Sequence, residues 1–352
     1  MSKHYSSFSI NGRQIGTGLN PYIIAEMSGN HNNSYEQAVS ILHAAAACGV
    51  DALKLQTYTP NTITLKSCNA DFTINNPNSL WYGKTLYDLY AEAHTDWDWV
   101  SRLFAEAKKI GLTCFSSVFD ESAVDFLEDI GSPAYKISSF ENNHIPLIKK
   151  AAKTGKPLII STGASSLDEI DEAVETARAA GCKQLAILKC TSEYPADPAA
   201  SNLLAIPFLR ERFGCEVGLS DHTKGVGAAI ASVAMGGSII EKHFIIDRDN
   251  GGVDAAFSAN KFEMEMLVRE SIVASISRGG VNFQLSEAEA LSKQFKRSIY
   301  AASRIKKGEL FTKENIRIVR PGYGLHPRYF EALIGTKAKS DYEFADPIKE
   351  LK

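Results

Sequence analysis

The sequence predicts a (β/α)8 barrel followed by a small β-rich module. Eight apolar runs of strand length recur between residues 22 and 244, and helix-type patterns separate them. The runs are almost continuously apolar, which is typical of parallel strands that are covered on both faces. An open doubly wound sheet is the alternative, but the segment "AEMSGNHNNS" stands where that fold has its phosphate-binding GxGxxG. We therefore favour the closed barrel.

The predicted strands and helices alternate along the chain as this fold requires. Helix patterns include "YEQAVSILHAAAACG", "ESAVDFLEDIG" and "SSLDEIDEAVETARAAG". In the last of these, Ser166 stands three residues before Glu169, which predicts a capping box, and Gly181 is placed to end the helix. The predicted strands are residues 22–27, 51–58, 112–117, 134–138, 157–162, 185–190, 216–220 and 238–244.

One connection is longer than a loop and a helix need, because about 50 residues separate the second and third predicted strands. We expect part of this insertion to cover the barrel mouth or to contact another subunit. Most of its aromatic rings should pack the insertion onto the barrel, as such rings usually do. The rings belong to Trp81, Tyr82, Tyr87, Tyr90, Trp97 and Trp99.

The chain is long enough for one large and one small domain. We place the catalytic barrel at residues 1–282, a polar linker at 283–294 and the β-rich module at 295–352. The last segment is too short for a second barrel, and it combines short strand patterns with a Lys-Gly turn and many brief loops.

Composition indicates an ordinary globular protein, since 44% of the 352 residues are hydrophobic and 22% are charged. The net charge of −3 gives no reason to expect a nucleic-acid partner, which usually requires a basic face. No apolar run approaches the length of a membrane span, and the N-terminal stretch lacks the apolar core of a signal peptide. The six cysteines have no CxxC or disulfide spacing, so we expect buried free thiols. We expect a cytoplasmic protein.

Polar side chains recur at the carboxyl ends of the predicted strands, where a barrel of this kind carries its chemistry. Strand alternation places Lys54 with Gln56 on one face, and Glu241 with His243 on one face. A buried lysine or glutamate is costly unless it is paired or binds a charged ligand. One such residue suits a structural ion pair equally well, but the whole set predicts a functional site. Its main members are Glu26, Lys54, Gln56, Ser117, Lys136, Ser139, Ser161, Ser220, His222, Glu241 and His243.

Two parts of this set indicate specific ligands. His222 and His243 end neighbouring strands and are placed to share a metal ion, although each histidine alone is more often a satisfied buried residue. Glu241 and Asp254 supply carboxylates nearby, and such a mixed shell suits Mn²⁺, Mg²⁺ or Fe²⁺. The metal would polarise a carbonyl group.

The second part is a candidate anion cradle formed by Lys54, Lys136, Ser139, Ser161 and the "STG" turn before the capped helix. Ammonium groups and the N–H groups at a helix start both favour phosphate or carboxylate. Capping the helix is the commoner use of such a turn, and the two uses are compatible. The set predicts an anionic substrate and a metal-assisted aldol-type condensation or a related lyase reaction.

With these motifs in view, the chain resembles the sialic acid synthase family over essentially its whole length. The segments "IIAEMSGNHN", "DALKLQTYTP", "YKISSFENNHIPLI", "ISTGASSLDEI", "LKCTSEYPADPAASNL", "GLSDHT" and "IEKHF" are similar to motifs of that family, in the same order. The C-terminal module resembles the SAF domain of these enzymes, a type III antifreeze-like β-clip. The resemblance implies a TIM barrel that condenses phosphoenolpyruvate with the open-chain aldehyde of an amino sugar, releasing phosphate and giving a nine-carbon 2-keto acid.

The resemblance also implies a role for each matching residue. Glu26 would be the general acid or base, acting with Lys54, Glu241 and Arg320 as the catalytic group. His222 and His243 would bind the divalent metal, with Mn²⁺ favoured and Mg²⁺ or Co²⁺ as alternatives. The substrate-binding residues would be Ser117, Lys136, Ser139 and Ser161 around phosphoenolpyruvate, with Ser192, Tyr194, Ser220 and Asp254 near the sugar or the reacting centre.

Within the family, "WYGKTLYDLYAEAHTDWDW" and "RPGYGLHPRYFE" are more similar to pseudaminic acid synthases than to N-acetylneuraminate synthases. The sugar implied is 2,4-diacetamido-2,4,6-trideoxy-L-altropyranose, and the product would serve flagellin or another cell-surface glycan. The alternatives are N-acetylmannosamine and 2,4-diacetamido-2,4,6-trideoxymannose, which lead to N-acetylneuraminate and legionaminate. An inactive sugar-binding scaffold is a further alternative, but a scaffold needs neither the histidines nor the lysines.

The segment "IVRPGYGLHPRYFEALIG" places Arg320 in a stretch rich in glycine and proline. We expect Gly322 and Gly324 to adopt backbone conformations closed to other residues, while Pro321 and Pro327 stiffen the loop. Such a loop would hold Arg320 in a fixed position.

The resemblance implies a domain-swapped homodimer in which Arg320 reaches the partner's barrel mouth. The alternative is that Arg320 pairs with an acid of its own module. Arg317 and Arg328 are nearby candidates for the same role.

Overall fold

The computed structural model of the protein describes residues 7–350, which form two compact units. The boundary between the units lies between Gly279 and Gly280, close to the predicted end of the barrel at residue 282. The predicted linker, residues 283–294, contains the six-residue helix Glu287–Ser292. Residues 1–6 and 351–352, which the predicted domains include, lie outside the described part.

The first unit contains a closed barrel of eight parallel strands, as predicted. Each predicted apolar run matches one barrel strand to within one residue at each end. A short hairpin, β1 (Phe8–Ile10) and β2 (Arg13–Ile15), precedes the barrel. The barrel strands are β3 (Tyr22–Glu26), β4 (Ala52–Thr57), β5 (Thr113–Val118), β6 (Tyr135–Ile137), β7 (Leu158–Ser161), β8 (Leu185–Cys190), β9 (Glu216–Asp221) and β10 (Ile239–His243). Their order around the barrel is β10-β3-β4-β5-β6-β7-β8-β9.

Helices follow the barrel strands and cover their outer faces. The predicted capping box is present at the start of the helix Leu167–Ala179, where the Ser166 side chain accepts from the N–H of Glu169 and the Glu169 carboxylate accepts from the N–H of Ser166. The helices of this unit are α1 (Tyr35–Ala47), α2 (Pro60–Ile63), α3 (Leu86–Ala93), α4 (Trp97–Ile110), α5 (Glu121–Asp129), α6 (Ile145–Lys153), α7 (Leu167–Ala179), α8 (Ala205–Phe213), α9 (Gly227–Ala234) and α10 (Lys261–Arg278).

Alternation along the strands separates an inner from an outer set of side chains. In β3, Tyr22 and Ile24 belong to the inner apolar cluster, whereas Ile23 and Ala25 belong to the cluster between barrel and helices. The next inward position of β3 is therefore Glu26. The β1–β2 hairpin adds its apolar residues to the inner cluster. The barrel interior is thus apolar at one end, and its inward polar side chains occupy the carboxyl ends of the strands.

The insertion between β4 and β5 contains α2, α3 and a short antiparallel pairing of Thr73 with Thr85. Its aromatic rings divide into two groups. Trp97 stacks on Phe126, with ring centroids 4.8 Å apart, and Trp99 packs against the barrel residues beneath α4. Trp81 instead lines the cavity described below. The insertion therefore covers part of the barrel mouth, one of the two expectations from the sequence.

The second unit is small and has its own apolar core, built around Ile299, Phe311 and Leu333. Isolated β-bridges, such as the one between Ile305 and Tyr342, supplement its single two-stranded sheet. Its elements are α11 (Glu287–Ser292), β11 (Ser298–Ala301), β12 (Ile316–Val319) and α12 (Phe330–Leu333). Over residues 7–350, no helix is long and apolar enough to cross a lipid bilayer.

Candidate active site

A cavity of about 550 Å³ lies at the carboxyl ends of the barrel strands. The structure brings most of the predicted site residues together around it, although they come from six different strands or the loops after them. The predicted residues that line the cavity are Lys54, Lys136, Ser139, Ser161, Ser192, Tyr194, Ser220, His222, Glu241, His243 and Asp254.

Glu26 and Ser117 lie just outside this lining, and both are buried. The ammonium group of Lys54 forms an ion pair with Glu26 and donates a hydrogen bond of 2.8 Å to Ser117 Oγ. Lys54 therefore connects both residues to the cavity. Their predicted roles stay predictions.

Strand register explains why these side chains meet. Closure of the barrel pairs β10 with β3, which sets His243 opposite Glu26, and pairing of β3 with β4 sets Glu26 opposite Lys54. On the other side of β10, Glu241 stands opposite Ser220, whose hydroxyl donates to Glu241 Oε1 at 3.2 Å. Sequence-distant charges thus become neighbours through backbone pairing alone.

Two lysines share the carboxylate of Glu241. Its Oε1 atom lies 3.3 Å from Lys136 Nζ and 3.7 Å from Lys54 Nζ. Burial opposes ionisation of Glu241, but the ammonium groups of Lys136 and Lys54 outweigh it and hold the pKa of Glu241 well below its usual range. Burial also opposes the charge of Lys54, yet Glu241 and Glu26 raise the pKa of Lys54 above its usual value. This pair is ionised at neutral pH.

The positive charge of Lys136 is less well stabilised by its surroundings than that of Lys54. Burial lowers the pKa of Lys136 below its usual value, the Glu241 carboxylate offsets only part of this effect, and the nearby Lys54 cation adds to the lowering. A bound anion would restore the balance, because it would supply Lys136 with the negative charge that Glu241 divides between two lysines.

The residues of the predicted anion cradle meet around the start of the loop after β7, and their anion-binding role stays a prediction. The N–H of Gly163 donates to Ser139 Oγ at 3.0 Å, and a side chain at position 163 would collide with Ser192 Oγ at 2.2 Å. Ser161 Oγ and Glu241 Oε2 are buried and have no hydrogen-bond partner among residues 7–350. Buried polar atoms are rarely left without partners, so these two atoms indicate a place for a bound polar group.

His222 and His243 lie side by side, with ring centroids 5.3 Å apart. His222 Nδ1 is 2.8 Å from the carbonyl oxygen of Thr191, so this nitrogen carries a proton and, in the neutral imidazole, the lone pair is on Nε2. His243 Nδ1 similarly faces Asp254 Oδ2 at 3.3 Å. Metal-binding histidines are usually oriented in this way by a carbonyl or carboxylate behind the ring, so the two imidazoles fit a divalent metal.

The two nearby carboxylates are not placed as metal ligands, in contrast to the mixed imidazole and carboxylate shell expected from the sequence. Asp254 stands behind His243, and Glu241 is held by the two lysines. In the part of the chain that the structure describes, no group of three His, Cys, Asp or Glu side chains is arranged as a metal site. Two imidazoles would leave most coordination positions to water or substrate.

Three further residues of this site were not assigned a role from the sequence. Gln56 donates to Glu26 Oε1 at 2.9 Å, and strand alternation with Lys54 was the available signal. Glu141 lines the cavity in the turn after β6, and burial raises its pKa to about 7. Cys190 also lines the cavity, as expected from its alternation with the inward Leu188.

In the second unit, the loop after β12 lies against residues 293–298. Ser298 Oγ donates to the carbonyl oxygen of Pro321 at 2.7 Å and accepts from the N–H of Gly324 at 2.8 Å. Arg320 is exposed and has no ion-pair partner among residues 7–350, so pairing within its own module is not observed there.

The structure corrects the reason given for the glycines of this loop. Neither Gly322 nor Gly324 has a positive φ angle. Gly324 is required by close approach instead, because a Cβ atom there would lie 2.3 Å from the carbonyl oxygen of Ile299. The loop contacts its neighbouring segment closely at Gly324, and neither glycine supplies a positive φ angle there.

The chain is similar to known proteins along most of its length. Residues 41–282 match the NeuB family and residues 296–350 match the SAF domain. The chain is 41% identical to a pseudaminic acid synthase of Campylobacter jejuni, covering 96% of this chain and 98% of that protein. It is 39% identical to a pseudaminic acid synthase of Helicobacter pylori, covering 93% and 96%. An N-acetylneuraminic acid synthetase structure from Leptospira borgpetersenii, in complex with citrate, superposes with a TM-score of 0.74 at 27% identity, covering 83% and 96%.

Removal of the Lys54 cation should destabilise the barrel in a pH-dependent way. In Lys54→Met, the buried carboxylates of Glu26 and Glu241 lose a positive neighbour, and the folded-state pKa of Glu241, which that cation helps to depress, rises. The ionised carboxylates then remain buried with less compensation, so the loss of stability is larger at high pH than at low pH. We expect a loss of about 3 kcal/mol at pH 8 and a smaller loss at pH 5, measured by urea unfolding.

Lys183→Met is the matched control, because Lys183 is exposed and its loss should change stability by less than about 0.5 kcal/mol. An equal loss for Lys54→Met at both pH values would contradict the proposed coupling of Lys54 to the carboxyls.

Proposed function

Because the chain belongs to the NeuB family and carries a SAF domain, we propose that it is a pseudaminic acid synthase. It would condense phosphoenolpyruvate with 2,4-diacetamido-2,4,6-trideoxy-L-altropyranose and water to give pseudaminic acid and phosphate. Relatives of that name at 39% and 41% identity support the choice of sugar. The observation that carries the chemistry is the buried network of Lys54, Glu26, Glu241 and Lys136 beside two oriented histidines in one cavity.

Phosphoenolpyruvate would bind at the floor of the cavity. Its phosphate and carboxylate would take their positive partners from Lys54 and Lys136, and their hydrogen bonds from Ser139, Ser161 and the turn at Gly163. The unpartnered Ser161 hydroxyl supports this placement, because a phosphate oxygen would satisfy it. The substrate anion would also stabilise the protonated form of Lys136.

The reaction would form one carbon–carbon bond and one carbon–oxygen bond, and it would break the carbon–oxygen bond to phosphate. The methylene carbon of phosphoenolpyruvate attacks the aldehyde carbon, whose oxygen takes up a proton. Water then adds to the former enol carbon and loses one proton. Phosphate leaves with the bridging oxygen and takes the remaining hydroxyl proton, which forms the 2-keto group. Glu26 would move a proton at this centre, since Lys54 and Gln56 hold its carboxylate in place next to the reacting atoms.

A divalent metal, most readily Mn²⁺, would be held by His222 and His243, and it would supply Lewis-acid polarisation of the aldehyde oxygen. The groups behind both rings support this proposal, because the Thr191 carbonyl oxygen accepts from His222 and the Asp254 carboxylate lies 3.3 Å from His243 Nδ1, the arrangement usual for metal-binding histidines. Mg²⁺ and Co²⁺ are alternatives.

The active form would be a homodimer in which Arg320 enters the partner's cavity, where a planar guanidinium can hold amide carbonyls or a carboxylate of the sugar. Large apolar side chains that are almost fully exposed in one chain support an additional interface: Val281 is 97% and Phe283 is 93% exposed. The exposed, unpaired state of Arg320 in the described residues is consistent with a role outside its own module.

The protein would work in the cytoplasm and supply a cell-surface glycan, such as that of flagellin. All six cysteines are free and five of them are buried, which suits a reducing compartment.

The proposed reaction has a direct assay. Incubation with phosphoenolpyruvate, Mn²⁺ and the altrose derivative should release phosphate and form a nine-carbon 2-keto acid. Phosphoenolpyruvate labelled with ¹⁸O at the bridging oxygen should give labelled phosphate, because the carbon–oxygen bond breaks. N-acetylmannosamine and 2,4-diacetamido-2,4,6-trideoxymannose tested side by side distinguish the three sugars. A folded protein that turns over none of them would contradict the proposal.

The metal proposal is tested by binding as well as by activity. His222→Ala and His243→Ala should each weaken Mn²⁺ binding at least about tenfold in electron paramagnetic resonance titrations, because each removes one imidazole ligand. Both should also abolish metal-dependent turnover while thermal unfolding remains cooperative. Dialysis against a chelator should remove activity, and re-addition of Mn²⁺, Mg²⁺ or Co²⁺ reports the preference.

His43→Ala is the control, since His43 is half exposed and pairs with Glu106 on the outer surface. Normal Mn²⁺ affinity in either His222→Ala or His243→Ala would remove that histidine as a ligand.

Exchange of Arg320 between subunits is tested by complementation. A heterodimer of one Arg320→Ala chain and one Glu26→Gln chain should regain one of its two sites, because the intact barrel then receives the intact arginine. Purified, doubly tagged heterodimers are assayed for phosphate release. Arg317→Ala, altered on the exposed part of β12, should keep near-normal turnover. Inactive heterodimers would show that Arg320 does not act in the partner's site.

A further inference from the structure

The cavity has a polar floor and an apolar outer wall of different origin. The floor comes from the strand ends, whereas the outer wall comes largely from the insertion between β4 and α4. The insertion residues of this wall are mostly aliphatic or aromatic. The apolar members are Ile63, Ile74, Trp81, Leu86, Leu89 and Tyr90, and the polar residues Asn76 and Ser79 of the same insertion also line the cavity.

The wall is fixed to the barrel rather than free to fold away. Two backbone hydrogen bonds join the arms of a short hairpin. The N–H of Ile74 donates to Lys84 O, and the N–H of Gly83 donates to Ile74 O, both at 2.9 Å. At the hairpin's tip, Trp81 Nε1 donates to the carbonyl oxygen of Val253 at 3.1 Å. Val253 directly precedes Asp254, so this bond joins the wall to the loop that supports His243.

The two sides of the cavity match two parts of the proposed sugar, and this step rests on the proposed function. The aldehyde carbon must lie at the floor, beside His222 and the charged network. An open-chain sugar then extends away from the floor, so that its fourth and sixth carbons come closest to the outer wall. In the proposed substrate these carbons carry an acetamido and a methyl group, whereas N-acetylmannosamine has hydroxyls at both.

We propose that Ile74 and Trp81, together with Ile63 and Leu89, select the sugar by the methyl group on its sixth carbon and the methyl end of the acetamido group on its fourth carbon. A methyl group gains from burial against such side chains, and a hydroxyl placed against Ile74 or Trp81 would lose hydrogen bonds to water. The indole of Trp81 donates to Val253, its centroid lies 5.8 Å from that of the Tyr194 ring, and both rings line the cavity. These residues determine specificity and take no part in proton transfer.

One group that fits or does not fit an apolar wall typically changes the ratio of kcat/KM between two competing substrates by about 10- to 100-fold. The test places equal amounts of the diacetamido sugar and N-acetylmannosamine in one mixture and measures both products by mass spectrometry. Ile74→Ser and Trp81→Ala should lower the wild-type preference for the diacetamido sugar at least tenfold. The KM for phosphoenolpyruvate should remain within about twofold, because the floor is unchanged.

Two further variants separate recognition from folding. Tyr82→Ala removes a neighbouring aromatic ring that is 60% exposed and outside the cavity, and it should leave the preference unchanged. Trp81→Phe keeps an aromatic ring without the N–H, so it should retain most of the preference even if Trp81→Ala fails to fold.

The outcomes also distinguish this inference from the proposed function. Wild-type protein that uses none of the three precursor sugars overturns the proposed function. A second outcome is that the wild-type protein prefers the diacetamido sugar but both products fall equally in the variants. That result would overturn only the proposed selection by the wall, and it would assign Ile74 and Trp81 a structural role.

Discussion

The pairing of β10 with β3 is the constraint on which the rest of this site depends. It closes the barrel and sets His243 beside Glu26, while the next pairing sets Glu26 beside Lys54. Burial would oppose each of these charges alone, and the enclosed pairing of opposite charges keeps Lys54 and Glu241 ionised. Backbone hydrogen bonding in the barrel therefore determines the electrostatics of the cavity, and the chemistry proposed for it requires no rearrangement of the strands.

Much of the fold was predictable because local sequence carries it. Continuous apolar runs gave the eight strands, and period-two alternation placed Lys54, Glu241 and His243 toward the interior without any knowledge of their partners. Carboxyl ends of parallel barrel strands meet at one mouth, so the convergence of the polar residues followed from topology. The capping box of α7 was equally local, since Ser166 and Glu169 lie within one helical turn.

What could not be predicted depends on contacts between distant segments. The bond from Trp81 to Val253 joins residues 172 positions apart, and nothing near Trp81 in sequence distinguishes it from Trp97 or Trp99, which pack elsewhere. The division of Glu241 between two lysines, and the place of Asp254 behind His243, are also results of side-chain packing. Gly324 shows the same limit, because the carbonyl group that excludes a side chain there belongs to another strand.

The separate origins of floor and wall have an evolutionary consequence. The groups that we propose for the reaction are built into the barrel strands, where a substitution disturbs buried charges and the core together. The apolar wall belongs to one insertion, whose residues can change without altering the strand register. If the wall selects the sugar as proposed, a lineage could acquire a new sugar while its reaction stays the same, and closely similar barrels could supply chemically different glycans.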